Sequence, residues 1–218
     1  MQTPATAQTI PLPAEPELSK VPGRWRPRIV RAVRDVDLAA AEEGARRLLE
    51  GLGLELSDES LADTPRRMAH ALAEMTSAPE FDFTTFPNDG GYDEMVLVEN
   101  IPVRSLCEHH MLPFLGVAHV GYLPGHRILG LSKLARMVEF HARRPQTQER
   151  LTKEIADHLG ELLEPQGIGV VVEAEHTCMS VRGARAQGAR TVTSALHGRF
   201  REDPASRAEF LALAKGRL

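Results

Sequence analysis

The chain of 218 residues is poor in cysteine, in aromatic residues and in long apolar runs. It contains two cysteines, and aromatic residues make up 5% of the sequence. No apolar run approaches the roughly 20 residues that a membrane-spanning helix needs, and the first thirty residues lack the basic start and apolar centre of a signal peptide. A cytoplasmic location is therefore expected, and there two cysteines favour a metal site or catalysis over a structural disulfide.

An excess of positive charge is also missing. The chain carries 26 lysine and arginine residues against 30 aspartate and glutamate residues, a formal net charge of −4. This balance excludes a basic footprint over the whole protein, so neither nucleic acid nor a membrane surface is expected as a partner. Any anion site must come from a local cluster of cations.

Three segments follow one another along the chain. Residues 1–28 hold six of the fifteen prolines without a visible period, which predicts a disordered tail. Residues 29–90 are read as a helical segment, with one helix capped by Asp35 and a second capped by Thr64, with Pro65 at its first helical position. Residues 91–218 form the third segment and are expected to carry the active part of the protein.

The third segment alternates between strand and helix patterns. Strands are predicted near residues 94–103, 114–123, 168–175 and 191–196. Between the second and third of these strands, one helix is expected to begin at Ser132 as its cap, and another to cover about residues 147–163. A short helix follows Pro204. Paired strands flanking helices indicate an α+β fold, with an antiparallel sheet and helices on one face.

Both cysteines lie beside histidines. Cys107 and His110 are three residues apart, a spacing that lets both reach one ion from a turn. In the other segment, strand alternation would put His176 and Cys178 on the same face. Cys107, His110 and Cys178 form a sulfur and nitrogen set that suits zinc and leaves a fourth position open for water, the catalytic pattern. His109 and His176 would remain beside the metal as proton donors and acceptors. The alternative is that the cysteines are merely buried packing residues.

Two further features could bind an anion or a base. Gly130-Leu-Ser-Lys-Leu-Ala-Arg136 opens a helix whose free N–H groups, with Ser132, Lys133 and Arg136, could receive a phosphate. A capped, solvated helix start is the competing interpretation. Glu149 could accept two parallel N–H bonds from a guanine edge, or could simply complement the dipole of its helix.

Five blocks together resemble the signature of the GTP cyclohydrolase I family. They are Ser105-Leu-Cys-Glu-His-His, the run from Gly130 to Arg136, Gln148-Glu-Arg-Leu151, Glu175-His-Thr-Cys178 and Arg182-Gly183. The resemblance runs in order from about Leu38 to the C-terminus, so the tail lies outside it.

The resemblance implies an activity and an assembly. The family converts GTP into 7,8-dihydroneopterin triphosphate and formate, the first step toward folate-type pterins. Its fold is the tunnelling fold, and its subunits form pentameric rings that stack into a homodecamer with active sites between subunits. By the same match Cys107, His110 and Cys178 would hold zinc, and His109 and His176 would be catalytic, without an assignment of each proton transfer. The expected substrate contacts are Glu149 at the guanine edge and Gln148, Ser132, Lys133, Arg136, Arg182 and Arg67 elsewhere.

One departure from the family pattern is visible. Relatives often carry Arg-x-x-Lys in the second helix, whereas this chain has Arg67-Met-Ala-His70. His70 would be a weaker phosphate contact at neutral pH than a lysine.

Rival interpretations differ in how they use these residues. A nitrile reductase of the same superfamily would use a cysteine nucleophile and a nicotinamide, and a pterin synthase would hold zinc with three histidines. A zinc-stabilised assembly module would explain the cysteines, but it would leave the two extra histidines and the cation clusters without a role. A nucleic-acid-binding protein would use the arginines at positions 182, 185, 190, 199 and 201, against the acidic net charge.

Overall fold

A computed structural model describes residues 35–79 and 81–214. The predicted tail, residues 1–28, lies outside the described residues. The α-helices are α1 (Leu38–Gly51), α2 (Thr64–Thr76), α3 (Leu131–Ala142), α4 (Gln148–Leu163), α5 (Thr177–Ser180), α6 (Arg199–Glu202) and α7 (Pro204–Ala214). The strands are β1 (Thr85–Pro87), β2 (Val96–Cys107), β3 (Pro113–Leu123), β4 (Arg127–Leu129), β5 (Pro145–Gln146), β6 (Gly167–His176) and β7 (Thr191–Gly198).

Three predicted helix starts are placed slightly differently in the structure. Asp37 rather than Asp35 caps α1, because its carboxylate accepts the N–H of Ala40. α2 begins near Thr64 and Pro65 as expected, but Asp63 rather than Thr64 occupies the N-cap position. α3 has Gly130 at its N-cap without a side-chain bond, so Ser132 lies inside the first turn and does not cap the helix.

The main sheet has five strands in the order β5-β2-β3-β6-β7. The four long strands pair antiparallel, as the sequence predicts. The edge strand β5 departs from that pattern: it pairs parallel with the end of β2 through Leu106 and Cys107. A separate pair, β1 with β4, lies outside the main sheet. The result is an α+β fold in which β2 and β6 end, and β3 begins, near the two cysteines.

Helices pack on both faces of the sheet, so the prediction of helices on one face is only partly right. Alternate strand residues, including Val170 and Val172, share a buried core with α3 and α4. On the other face Val171 joins Phe200 and Phe210 of the C-terminal helices in a second buried cluster. α7 can approach this face because Gly121 and Gly169 present no side chain to the Phe210 ring.

We expect Gly169→Ala to destabilise the fold. A Cβ at this position would lie 2.5 Å from two ring atoms of Phe210, and Phe210 is completely buried. Overpacking of this kind typically costs about 1–3 kcal/mol. The midpoint of urea unfolding, followed by circular dichroism, should fall accordingly.

The matched control is Gly44→Ala on α1. A Cβ added there meets nothing within 4 Å, and alanine is favoured over glycine in a helix by about 0.5–1 kcal/mol. This variant should therefore unfold at the same or a higher urea concentration than the parent. A Gly169→Ala protein that is as stable as Gly44→Ala would contradict the packing described for α7.

None of the helices in the described part of the chain is both long enough and apolar enough to span a bilayer.

Candidate functional site

The first half of the site is the turn that follows β2. The strand ends at Cys107, whose N–H donates to the carbonyl of Leu112 at 2.8 Å. The N–H groups of His110 and Met111 in turn donate to the Cys107 carbonyl at 3.2 and 2.8 Å. Met111 adopts a left-handed backbone conformation (φ 53°), which reverses the chain into β3. This tight turn brings His110 Nδ1 within 3.8 Å of Cys107 Sγ, as the three-residue spacing predicts.

The second half is the end of β6, and here strand alternation was the wrong argument. The strand stops at His176, and Cys178 lies in the short helix α5. The helix is fastened to β3 because the Thr177 hydroxyl donates to the Pro113 carbonyl at 2.6 Å. Cys178 still reaches the first half of the site, but from a helical turn and not from an extended strand.

Together the two halves form a group that could hold a metal ion. The ligand atoms of Cys107, His110 and Cys178 all lie within 4.8 Å of one another. Desolvation raises the pKa of the Cys178 thiol, and the neighbouring Cys107 raises it further. A bound divalent cation would counteract this rise in pKa, because its charge favours the thiolate form of both cysteines. Two sulfur donors and one imidazole therefore fit a zinc ion, and three ligands leave one position open.

A partly buried set of polar contacts supports the turn that follows Cys107, and nothing in the sequence indicated it. Arg150 donates to the carboxylate of Glu108 at 2.6 Å and to Gln146 Oε1 at 2.7 Å. The Glu108 N–H donates to the Gln146 carbonyl through the parallel pairing of β5. Arg150 thus ties the first turn of α4 to the residue that follows Cys107. The sequence placed Arg150 inside a motif but gave no sign of its partner.

The two predicted catalytic histidines have different surroundings. The His109 side chain is 66% exposed, with Nδ1 3.9 Å from Cys107 Sγ and Nε2 3.8 Å from Glu108. His176 is half-buried and stacks on Phe114, with ring centroids 4.6 Å apart and an interplanar angle of 11°. Burial lowers the pKa of His176, and the nearby charge of Glu149 partly offsets the shift. Burial at this position therefore favours the neutral form of the ring.

Consecutive side chains in the first turn of α4 lie in different environments. The Thr147 hydroxyl caps the helix by accepting the Arg150 N–H. Gln148 is 1% exposed and contacts His176. Glu149 is exposed and lines a groove of about 580 Å³ beside β7. The cations in this groove are Lys153, Arg201 and Arg207. Glu149 is therefore open to a ligand and close enough to His176 for its charge to act on that ring.

Arg182 also belongs to this end of the molecule. It follows α5, is exposed, and is close enough to Cys178 for its positive charge to act on that thiol. The structure therefore brings together, in one chain, the three metal-ligand candidates, both histidines and three of the predicted substrate contacts. These contacts are Gln148, Glu149 and Arg182.

The remaining substrate candidates lie elsewhere in the same chain. The C-terminal end of α3 adjoins the metal-binding end of β2, because Ser105 Oγ donates to the Ala142 carbonyl at 2.7 Å. At a rise of about 1.5 Å per residue, Ser132 lies roughly 15 Å back along the helix. Lys133 belongs to the same turn as Ser132. Ser132 and Lys133 therefore lie at the end of α3 that is farther from the metal-ligand candidates.

Arg136 and Arg67 are also separated from the metal-ligand candidates. Arg136 lines a groove between α2, α3 and β2. Arg67 is exposed on α2, where its guanidinium lies 3.4 Å from Asp63. His70 is exposed on the same helix. None of these α2 and α3 side chains belongs to the group formed by Cys107, His110 and Cys178.

The chain is similar over most of its length to several known proteins. The family model described as GTP cyclohydrolase I matches residues 41–215. GTP cyclohydrolase 1 of Aquifex aeolicus is 51% identical over 181 residues, which cover 83% of this chain and 98% of that protein. GTP cyclohydrolase 1 of Mycobacteroides abscessus is 53% identical over 182 residues, covering 81% of this chain and 89% of that protein.

Among solved structures, the apo form of the archaeosine synthase QueF-Like covers 48% of this chain and 93% of its own. Its identity is 18% and its TM-score 0.39, values too low to identify the fold. The family match instead extends over most of the chain and includes both cysteine segments. The chain therefore belongs to the GTP cyclohydrolase I family.

Proposed function

We propose that this protein hydrolyses and rearranges GTP to 7,8-dihydroneopterin triphosphate and formate, the first step toward tetrahydrofolate-type pterins. The observation that carries the proposal is the group of Cys107, His110 and Cys178 with Glu149 and two histidines at the same end of one chain. Membership of the family supports it. A nitrile reductase would need no such ligand set, and a pterin synthase would need two further histidines in place of the two cysteines.

The ion would be zinc, held by Cys107, His110 and Cys178. When bound, zinc acts as a Lewis acid and lowers the pKa of a coordinated water to about 7. The donor set supports this choice, since thiolates and imidazole prefer zinc to magnesium or calcium. The burial of His176 is also compatible with this site, because it favours a neutral imidazole, which can accept a proton.

The organic steps need proton transfers, which His109 and His176 would supply. Opening of the five-membered ring of guanine at C8 requires a proton on the departing ring nitrogen, and a second hydrolysis releases C8 as formate. The ribose then opens, isomerises to a ketone and condenses with the freed amine, with loss of one water. Each step moves protons between carbon, nitrogen and oxygen, and positioned imidazoles typically accelerate such transfers about 10²–10⁴-fold.

Recognition of GTP would involve two separate regions of the fold: the region around Cys178 and the start of α3. Glu149, exposed in its groove next to His176, would accept two N–H bonds from the guanine edge. Ser132, Lys133, Arg136 and Arg182, with Arg67, would surround the ribose and triphosphate. Because α3 holds its groups far from Cys107 within one chain, they would come from neighbouring copies. A tunnelling-fold decamer of two pentameric rings, with active sites between subunits, satisfies this requirement.

The division of the chain proposed from the sequence accompanies this function. Residues 29–90 would supply the helical segment that carries Arg67, and residues 91–218 would form the catalytic domain. A cytoplasmic location and the lack of nucleic-acid or membrane partners stay predictions.

The proposal is tested by incubating the purified protein with GTP, with and without a strong chelator. We expect formate and, after oxidation, neopterin fluorescence to appear together, to be lost on chelation and to return when zinc is added. The return matters because it separates metal removal from damage to the fold. A zinc-loaded, assembled protein that produces neither compound would exclude the proposed function and favour an assembly module.

A further inference from the structure

The amide nitrogen of Gln148 has no hydrogen left to donate to a substrate. It is 1% exposed at the start of α4. Its amide nitrogen donates to the carbonyls of Val172 at 3.0 Å and Thr191 at 2.9 Å, with the Thr193 hydroxyl 3.2 Å away. An amide nitrogen carries two hydrogens, and the two backbone carbonyls use both. The amide oxygen faces His176 Nε2 at 2.8 Å.

These contacts fix which way the amide points. If the amide were turned over, its oxygen would face the two backbone carbonyl oxygens of Val172 and Thr191, and three acceptors would meet without a donor. Buried polar groups avoid such arrangements because each lost hydrogen bond costs free energy. The oxygen of Gln148 must therefore be the atom that faces His176.

The orientation of the amide also determines the proton on the imidazole. An amide oxygen only accepts hydrogen bonds, so His176 Nε2 must carry the proton. In a neutral ring Nδ1 is then the basic nitrogen. The stacking of the ring on Phe114, which is itself fully buried, fixes the plane of the imidazole.

Gln148 is in turn held by the sheet. Its amide bonds reach backbone atoms of both β6 and β7, the two strands that pair next to His176. Its own carbonyl accepts the hydroxyl of Thr152 at 2.7 Å, and Thr152 lies 2.6 Å from the Thr193 hydroxyl. The side chain is therefore part of a rigid frame and not of a surface that adapts to a ligand.

We propose that Gln148 is a positioning residue: it holds His176 with the proton on Nε2 and leaves Nδ1 as the nitrogen available for proton transfer. This inference deepens the proposed function and rests on it. It replaces the expectation from the sequence that Gln148 contacts the substrate. Gln148 acts through His176 and does not touch GTP.

The kinetic test uses Gln148→Met, which keeps the length of the side chain and removes the amide. Misplacement of a reacting group by about 1 Å can cost up to about 10²-fold in rate. We therefore expect kcat for formate release to fall roughly 10- to 100-fold, with the KM for GTP within about threefold of the parent. A raised KM with an unchanged kcat would assign Gln148 to substrate binding and overturn the inference.

A double-mutant cycle separates positioning from a general loss of structure. If Gln148 acts through His176, Gln148→Met should have no further effect on kcat in a His176→Ala background. An equal loss in both backgrounds would overturn the inference. The matched control is Gln166→Met, since Gln166 donates to the Pro124 carbonyl at the other end of β6. This control should keep kcat within twofold of the parent.

A spectroscopic test does not depend on turnover. Magic-angle-spinning NMR of the zinc-loaded protein labelled with ¹⁵N-histidine reports which ring nitrogen carries the proton, and comparison with His176→Asn assigns the signal. The proton should be on Nε2 of His176. A proton on Nδ1 would overturn the inference even if GTP is turned over, whereas a proton on Nε2 without turnover would leave the frame intact and reject the proposed function alone.

Discussion

Cys178→Ala is expected to abolish zinc binding and GTP turnover together. Zinc content should fall from about one ion per chain to near zero, because an open three-ligand site keeps only two donors. Formate release should fall by at least about 10³-fold, since the water would lose the lowered pKa of about 7 that a bound zinc gives it and return toward its ordinary, much higher value. Metal analysis and the formate assay on the same sample measure both effects.

The neighbouring Met179→Ala provides the matched control. Met179 is 41% exposed in the same short helix and offers no ligand to the cysteine and histidine group. Its zinc content and activity should stay close to those of the parent. A Cys178→Ala protein that turns GTP over fully without zinc would reject the ligand assignment.

Mixing two inactive variants should restore activity if α3 serves the site of another copy. One variant, Cys178→Ala, lacks a metal ligand but has an intact α3. The other, Lys133→Ala, keeps the metal-ligand candidates and loses a predicted phosphate contact. When equal amounts are unfolded and refolded together, a site is complete where the first variant supplies α3 and the second supplies the ligands. In a closed ring with random mixing this gives about a quarter of the parent's sites.

The same mixture distinguishes the alternatives. If all groups of a site came from one chain, each chain would carry one defect and the mixture would remain inactive. If Lys133→Ala alone kept full activity, Lys133 would not contact the substrate. The control is each variant refolded alone under identical conditions, which should show no recovery.

Much of this arrangement follows from local sequence patterns. Cys107 and His110 are close because a turn follows a strand, and a three-residue spacing indicates such a turn directly. Thr147 caps α4, as the expected start near residue 147 implies. The apolar positions of α3, Leu134, Met137 and Val138, are all buried, as their helical period indicates.

Other features depend on contacts between distant segments. The end of β6 and the position of Cys178 depend on the bond from Thr177 to Pro113, 64 residues away in the chain. The salt bridge between Arg150 and Glu108 joins residues 42 positions apart. The role of Gln148 depends on carbonyls in β6 and at the start of β7, and a glutamine in a motif carries no sign of such partners. The period of apolar residues indicates which face of a helix or strand is buried, but it does not indicate which distant segment packs against that face.

The first turn of α4 has a consequence for how the protein can vary. Its four residues contact four different parts of the structure. Thr147 caps the helix and Gln148 contacts the His176 ring. Glu149 lines an open groove, and Arg150 contacts Glu108 in the turn that follows Cys107. One inserted or deleted residue would rotate everything beyond it by about 100° around the helix axis and would misdirect these side chains together. This stretch can therefore change by substitution but not in length.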